Sequence, residues 1–250
     1  MGISISPTVL IAVVLLFLLA RVAITARAVA VGAGKRSLHV AREYLDPVIY
    51  AGLAAFLLIT FVARTYYIPS ESMVPTLKVG DVLLVNKFEY RFHAPHHGDI
   101  VVFPPPIPST DDFIKRVIAV PGDTLRVSGG IVYVNGKALD EPYIAQRPSY
   151  NLIVKNYGIY VDDLGGEGYQ PLRTASANIP PRSAWTAPDR IPANCYFMMG
   201  DNRNDSDDSH MWGFAQTSGT FATGNNAGKP AHFTGHAFLI FWPFSHAKIL

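Results

Sequence analysis

Three polar blocks carry the side chains that bond-breaking chemistry requires: Ile68-Pro69-Ser70-Glu71-Ser72-Met73-Val74-Pro75-Thr76-Leu77, then Phe113-Ile114-Lys115-Arg116-Val117-Ile118-Ala119-Val120-Pro121-Gly122-Asp123, then the polar run from Gly200 to Gly213. A serine hydroxyl is a weak nucleophile until a neighbouring base takes its proton. A lysine serves as that base only when it is neutral near working pH, and burial among apolar neighbours disfavours the ammonium form. Lys115 stands in a strand pattern among Phe113, Ile114, Val117 and Ile118, surroundings that lower its pKa once packed. Taken alone, a serine is a turn or cap residue and a strand lysine is solvated. In the third block Asp201, Asp205 and Asp207 fall at odd offsets, as in a calcium loop, but that template wants Gly sixth and Glu twelfth where this chain has Ser206 and Trp212. An Asx-rich loop satisfying its own backbone is the plainer reading. His93, His96 and His97, near Pro95, read as solvated loop residues and not as a metal patch. No metal and no organic cofactor is expected.

The elements that must position these blocks follow from composition. Charged residues make up 16% of the 250 and apolar ones 49%, against about 25% charged in ordinary soluble domains, so a purely cytosolic globule fits poorly. A net charge of +2 argues against a nucleic-acid partner. The single cysteine, Cys195, excludes an intrachain disulfide and a four-cysteine zinc site. Met1 to Ala20 carries no charge, nor does Pro47 to Ala63 between Asp46 and Arg64, and each run is near the short end of the roughly 17 to 25 residues that span a bilayer. No basic residue precedes the first run, while Arg21, Arg27, Lys35, Arg36 and Arg42 follow it, the polarity of an anchor and not of a cleaved leader. Residues 1–64 are therefore expected to form a two-helix membrane anchor, helices at about 3–20 and 47–63, with a basic cytoplasmic loop and both termini outside. Six of the 21 basic and two of the 19 acidic residues lie in these 64, leaving the remainder at −2. Tyr66-Tyr67 suit a membrane interface, so the lipid bilayer is an expected partner.

From residue 80 the pattern is short β-branched and aromatic runs between Gly, Pro, Asn and Asp, as in DVLLVNKFEY, GDIVVFPPP, TLRVSGGIVYVNGKAL and GHAFLIFW. This predicts a mainly β barrel or sandwich. Asn135-Gly136 predicts a type I′ hairpin over Ile131 to Leu139. Residues 140–192, rich in Pro, Gly, Tyr and Asn, show few regular strands and predict a loosely patterned subdomain; residues 215–235 predict a long loop.

The three blocks, in this order behind two apolar segments, resemble the bacterial type I signal peptidases, membrane-bound serine proteases that remove signal peptides from exported preproteins; Gly235 to Trp242 resembles that family's closing strand. The resemblance implies a signal-peptidase-like catalytic β core formed by 65–123 and 196–250, with a β-rich subdomain inserted at 124–195. It implies Ser72 as nucleophile, Lys115 as general base, and an oxyanion hole from the Ser70 hydroxyl and the Ser72 backbone N–H. It implies Ser206 as the residue orienting the lysine and Asp208 as its support. Ile68, Met73, Leu77 and Ile114 are expected to line pockets for the small side chains of an Ala-x-Ala site, with the extended substrate pairing along exposed strand edges. A similar eukaryotic branch carries histidine in place of the lysine.

The chain departs from the family pattern at Glu71, where Gly is frequent, at Asn204-Asp205, a reversed order, and at His210 and His236, which stand for common arginines. A disulfide found in some relatives is excluded by the lone Cys195. The resemblance implies an enzyme at the bacterial inner membrane, its catalytic domain extracytoplasmic, acting on preprotein signal peptides beside the secretion translocon through an acyl-enzyme. The alternatives are a processing peptidase of the same fold for one narrow pilin-like substrate and a catalytically silent membrane adaptor.

Overall fold

The computed structural model describes residues 2–3, 7–30, 43, 46–54, 63–162, 168–172, 189–219 and 231–250. Residues 2–65 and 66–250 form two compact units. In the first, β1 (Gly2–Ile3) precedes α1 (Pro7–Ala30), and residues 46–54 form α2. Arg21 holds Asp46 through Nε and Nη2, at 2.7 and 3.0 Å. Among the described residues no helix is long and apolar enough to cross a membrane. The fold therefore lends the two expected membrane helices no support. α1 runs on past residue 20 through Arg21 and Arg27, both strong helix formers. Of the second expected segment, residues 55–62 lie outside the described residues, and Ala63 already belongs to β2 (Ala63–Tyr67).

The second unit is mainly β, as its patterning predicts. Its larger sheet contains, in order, β3 (Val82–Asn86), β14 (Gly235–Trp242), β4 (Ile100–Phe103), β5 (Phe113–Ala119), β12 (Cys195–Met199) and β13 (Ala215–Gln216), with β15 (Lys248–Ile249) on β14. The smaller, six-stranded sheet runs β11 (Gln170–Pro171), β10 (Gly158–Asp162), β9 (Asn151–Lys155), β6 (Leu125–Ser128), β7 (Ile131–Val134) and β8 (Lys137–Ala138). A short helix, α3 (Ser209–Trp212), follows the third polar block.

Period-2 alternation sorts the core. Leu83 and Val85 of β3, Ile100 and Val102 of β4, and Ala237 and Ile240 of β14 pack with Ile68, Met73 and Leu77. Val101 and Phe103, on the other face of β4, pack with Val117, Met198 and Trp212. Strand β12 is buried on both faces: Tyr196 and Met198 join that cluster, while Cys195, Phe197 and Met199 pack against Leu125, Val127, Val132 and Leu152 of the smaller sheet.

The predicted hairpin is present: Val134 faces Lys137 across Asn135 and Gly136, whose φ values are 51° and 75°. The structure differs over 140–192, where β9 and β10 form a regular hairpin with Lys155 facing Gly158. Its turn is Asn156-Tyr157, φ 49° and 59°; tyrosine rarely adopts that left-handed conformation, so no turn dipeptide marks it.

Candidate active site

Ser72 lies in the turn that follows β2. Val74 N–H donates to Glu71 O at 3.0 Å and Leu77 N–H to Met73 O at 2.9 Å, while Met73 and Leu77 are sunk into the core. From the other side Asn202 grips the turn twice: its backbone N–H donates to Ser72 O at 3.1 Å and its Nδ2 to Glu71 O at 3.2 Å. The serine thus sits on a loop fixed at both ends, with its hydroxyl turned to a cleft of about 400 Å³ lined by residues 66–73, 109, 111–115, 205 and 207.

Lys115 reaches that cleft from β5. It is only 4% exposed, and its Nζ donates to Ser72 Oγ at 2.8 Å. Burial pushes the Lys115 ammonium below its usual range, against the opposing pull of the Asp208, Asp207 and Asp201 carboxylates. Once neutral, the amine has a lone pair 2.8 Å from the hydroxyl that must lose a proton. Ser70 Oγ lies 3.4 Å from Ser72 Oγ. Among the described residues no acceptor takes the Ser72 backbone N–H, which leaves it available for a carbonyl oxygen.

Adjacent strand residues point to opposite faces, and Arg116 turns away from Lys115 to chelate Asp201 through Nε and Nη2 at 2.8 and 2.7 Å. Its Nη1 donates to Gly98 O at 2.8 Å. Asp201 is fully buried. Arg203, also buried, donates to Gly200 O at 3.1 Å and pairs with Glu141 at 2.6 Å. The Tyr143 ring lies 4.0 Å from the Arg116 guanidinium and 6.0 Å from that of Arg203; burial, with Glu141 adding, pushes its phenol up to about 12. Buried Arg203 and mostly buried Arg116 thereby hold the 200–203 segment, Arg203 through the Gly200 carbonyl and Arg116 through the Asp201 carboxylate, and through Asn202 the serine turn.

The remaining expected site residues fall as follows. Ser206 is buried, but its Oγ has no hydrogen-bond partner among the described residues, so the expected bond to Lys115 is not made. Asp208, fully buried, does not bond Ser206. Its Oδ2 accepts from Gly200 N–H at 2.9 Å, and its Oδ1 caps α3 through His210 N–H at 3.2 Å and meets His210 Nδ1 at 2.7 Å. The His210 ring stacks on Tyr150, centroids 4.2 Å apart. His236 Nδ1 lies 3.1 Å from Glu89. Ile68, Met73 and Ile114 line the cleft; Leu77 is fully buried behind it. Cys195 is buried, and burial raises its thiol to about 11. Sequence reasoning missed Asn202, Gly200 and the Arg116–Asp201 and Arg203–Glu141 pairs. Gly200 has no positive φ; its requirement is proximity, since a Cβ there would overlap Ser206 and the Ser72 carbonyl oxygen.

A serine hydroxyl against a buried amine is an arrangement that can generate a nucleophile. Comparison with known proteins identifies a family of serine endopeptidases. The family model described as signal peptidase, peptidase S26, matches residues 41–225. A probable signal peptidase I-1 of Synechocystis sp. is 38% identical over 211 residues, covering 82% of this chain and 84% of that protein. Signal peptidase IB of Staphylococcus aureus is 34% identical over 206 residues, covering 82% and 92%. A crystal structure of a signal peptidase I from Enterococcus faecalis V583 matches at 28% identity over 50% of this chain and 91% of that one, with a TM-score of 0.32. The chain belongs to the signal peptidase family, peptidase S26.

Proposed function

We propose that the chain is a signal peptidase I that cleaves signal peptides from exported preproteins after Ala-x-Ala sites, with Ser72 as nucleophile and Lys115 as general base. The observation that carries this reading is the 2.8 Å contact between Ser72 Oγ and the Nζ of a lysine that is 4% exposed. Neutral Lys115 takes the Ser72 proton as Oγ attacks the carbonyl carbon. The oxyanion receives hydrogen bonds from the Ser72 N–H and the Ser70 hydroxyl, each such donor being worth about 10²- to 10³-fold in kcat. Collapse expels the mature chain's amine, which takes the proton from Lys115, and leaves an acyl-enzyme. Lys115 then deprotonates the water that releases the signal peptide and regenerates Ser72.

Ile68, Met73 and Ile114 on the cleft wall, backed by Leu77, would form the pockets for small side chains. β12 pairs with β5 only from Arg116 onward, which leaves the Phe113–Lys115 edge open for an extended peptide. Ser206 would turn toward Lys115 when substrate fills the cleft, with Asp208 holding the Gly200 amide beneath it. In this reading 65–123 and 196–250 are the catalytic core and 124–195 an insert. The uncharged runs 1–20 and 47–63 tether it to the bacterial inner membrane, active side outward, near the secretion translocon. The test is cleavage of an Ala-x-Ala preprotein by detergent-solubilised wild type, Ser72→Ala and Lys115→Ala, with the new N-terminus sequenced. Cleavage after the second alanine by wild type alone is expected; near-normal turnover by Lys115→Ala would overturn the base assignment.

A further inference from the structure

The described residues that line the cleft holding Ser72 and Lys115 include five acidic ones, Glu71, Asp111, Asp112, Asp205 and Asp207, and one basic one, Lys115. Asp112 accepts from Tyr66 Oη at 2.9 Å and Thr234 Oγ1 at 3.5 Å, and Asp111 from Thr110 Oγ1 at 3.4 Å. The carboxylates of Glu71, Asp205 and Asp207 are exposed and have no hydrogen bond or ion pair with any described residue. Asp207 acts electrostatically on Lys115; Glu71 and Asp205 have no such partner among the described residues.

Glu71 is the best placed of the three. Its carbonyl accepts from Val74 N–H and Asn202 Nδ2, and the next carbonyl from Asn202 N–H. The backbone under its side chain is therefore fixed, one residue from the nucleophile, and the residue lines the same cleft. Asp205 and Asp207 enter the same cleft from the 200–208 block. Among the described residues lining the cleft, the one cationic side chain is that of Lys115, which is buried and already bonded to Ser72. A cleft lined by one sign of charge attracts the opposite sign and repels its own.

We infer that Glu71, together with Asp205 and Asp207, selects substrates by charge, favouring a lysine or arginine at the middle position of the Ala-x-Ala site or at either of the two positions after the scissile bond, and rejecting aspartate or glutamate there. The inference rests on the catalytic reading of Ser72 and Lys115 and adds a criterion separate from side-chain size. Partly solvated pairs of this kind support discrimination of about fivefold, reduced by salt.

The experiment measures binding of fluorescent peptides to the full chain carrying Ser72→Ala, in detergent. The peptides share one Ala-x-Ala site and differ only by Lys, Ala or Glu at each of three positions, the x of the site and the two residues that follow the cut. Lys peptides should bind about fivefold more tightly than Glu peptides at one or more positions. Adding Glu71→Gln, or about 0.5 M salt, should bring that ratio below about twofold. Glu71 is exposed and Gln isosteric, so the variant keeps its fold. Equal binding of Lys and Glu peptides at every position overturns the inference, as does a preference that survives Glu71→Gln combined with Asp205→Asn and Asp207→Asn. Cleavage of the neutral peptide by the Ser72 protein is scored in parallel. Cleavage without charge preference overturns this inference alone; charge-selective binding without cleavage upholds it and overturns the catalytic reading.

Discussion

Gly200→Ala is the most searching single change. The residue follows β12, donates its N–H to Asp208 and gives its carbonyl to Arg203. A methyl group there would overlap the Ser206 side chain and the Ser72 carbonyl oxygen. Overpacking of this kind costs about 1–3 kcal/mol, offset by somewhat under 1 kcal/mol from the stiffer unfolded chain. The net is about 1–2 kcal/mol, a fall in Tm of about 5 °C for a chain of this size. The loss of activity should be larger, because the Ser72 carbonyl must retreat and carry Oγ away from Nζ; a misplacement near 1 Å costs about 10²-fold in rate. Pairing Gly200→Ala with Ser206→Gly separates the two effects: it removes the side-chain overlap and leaves the overlap with the Ser72 backbone. Thermal melts and peptide cleavage should then show partial recovery of Tm with turnover still about 10²-fold down. Wild-type turnover in folded Gly200→Ala would refute the claim that this contact sets the serine's position.

Lys115→Met should abolish turnover yet raise Tm at neutral pH. Burial lowers the folded pKa of Lys115 beneath its unfolded value, so protonated Lys115 costs the native state, and native stability rises with pH between the folded and unfolded pKa. The gain from methionine should therefore shrink as melts are run at pH values approaching the unfolded lysine's; a gain independent of pH would contradict a buried ammonium. For the same reason kcat/KM should rise with pH through the depressed Lys115 pKa, and a flat profile would speak against its role as base. Asp201→Asn strands the Arg116 guanidinium, whose side chain is 11% exposed, and should cost about 3 kcal/mol, read as a Tm lower by roughly 10 °C. Ser70→Ala should lower kcat by about 10²-fold with KM little changed; a rise in KM alone would make Ser70 a ground-state contact.

Legibility in the sequence followed the reach of each interaction. The Asn135-Gly136 hairpin was readable because both turn residues favour positive φ. The β9–β10 hairpin was not, because Tyr157 adopts the same conformation under constraint from its strands. Strand β12 escaped notice for another reason: Cys195 to Met199 is buried on both faces, so it lacks alternation, and its paired methionines have no strong β preference. At the site, the apolar neighbours of Lys115 were visible in the sequence, while the pairing of Ser72 with Lys115 was expected only from the family resemblance. Arg116 and Asp201 meet across 85 positions and Asn202 and Glu71 across 131, and no local pattern signals partners so distant. The uncharged runs near the N-terminus were legible as apolar stretches; no described helix completes them as membrane spans.

The alternation of β5 has a consequence for fidelity. Lys115 and Arg116 are neighbours on opposite faces, and four facing pairs with β4, from Ile100–Arg116 to Phe103–Phe113, fix which one meets Ser72. Slipping that strand by one residue exchanges the two cations. A guanidinium would then stand beside the serine, and because it keeps its proton at any ordinary pH it would hold the hydroxyl without ever activating it. On the proposed catalytic reading, the distinction between an enzyme and an inert cleft is thus written in strand pairing as much as in the two side chains.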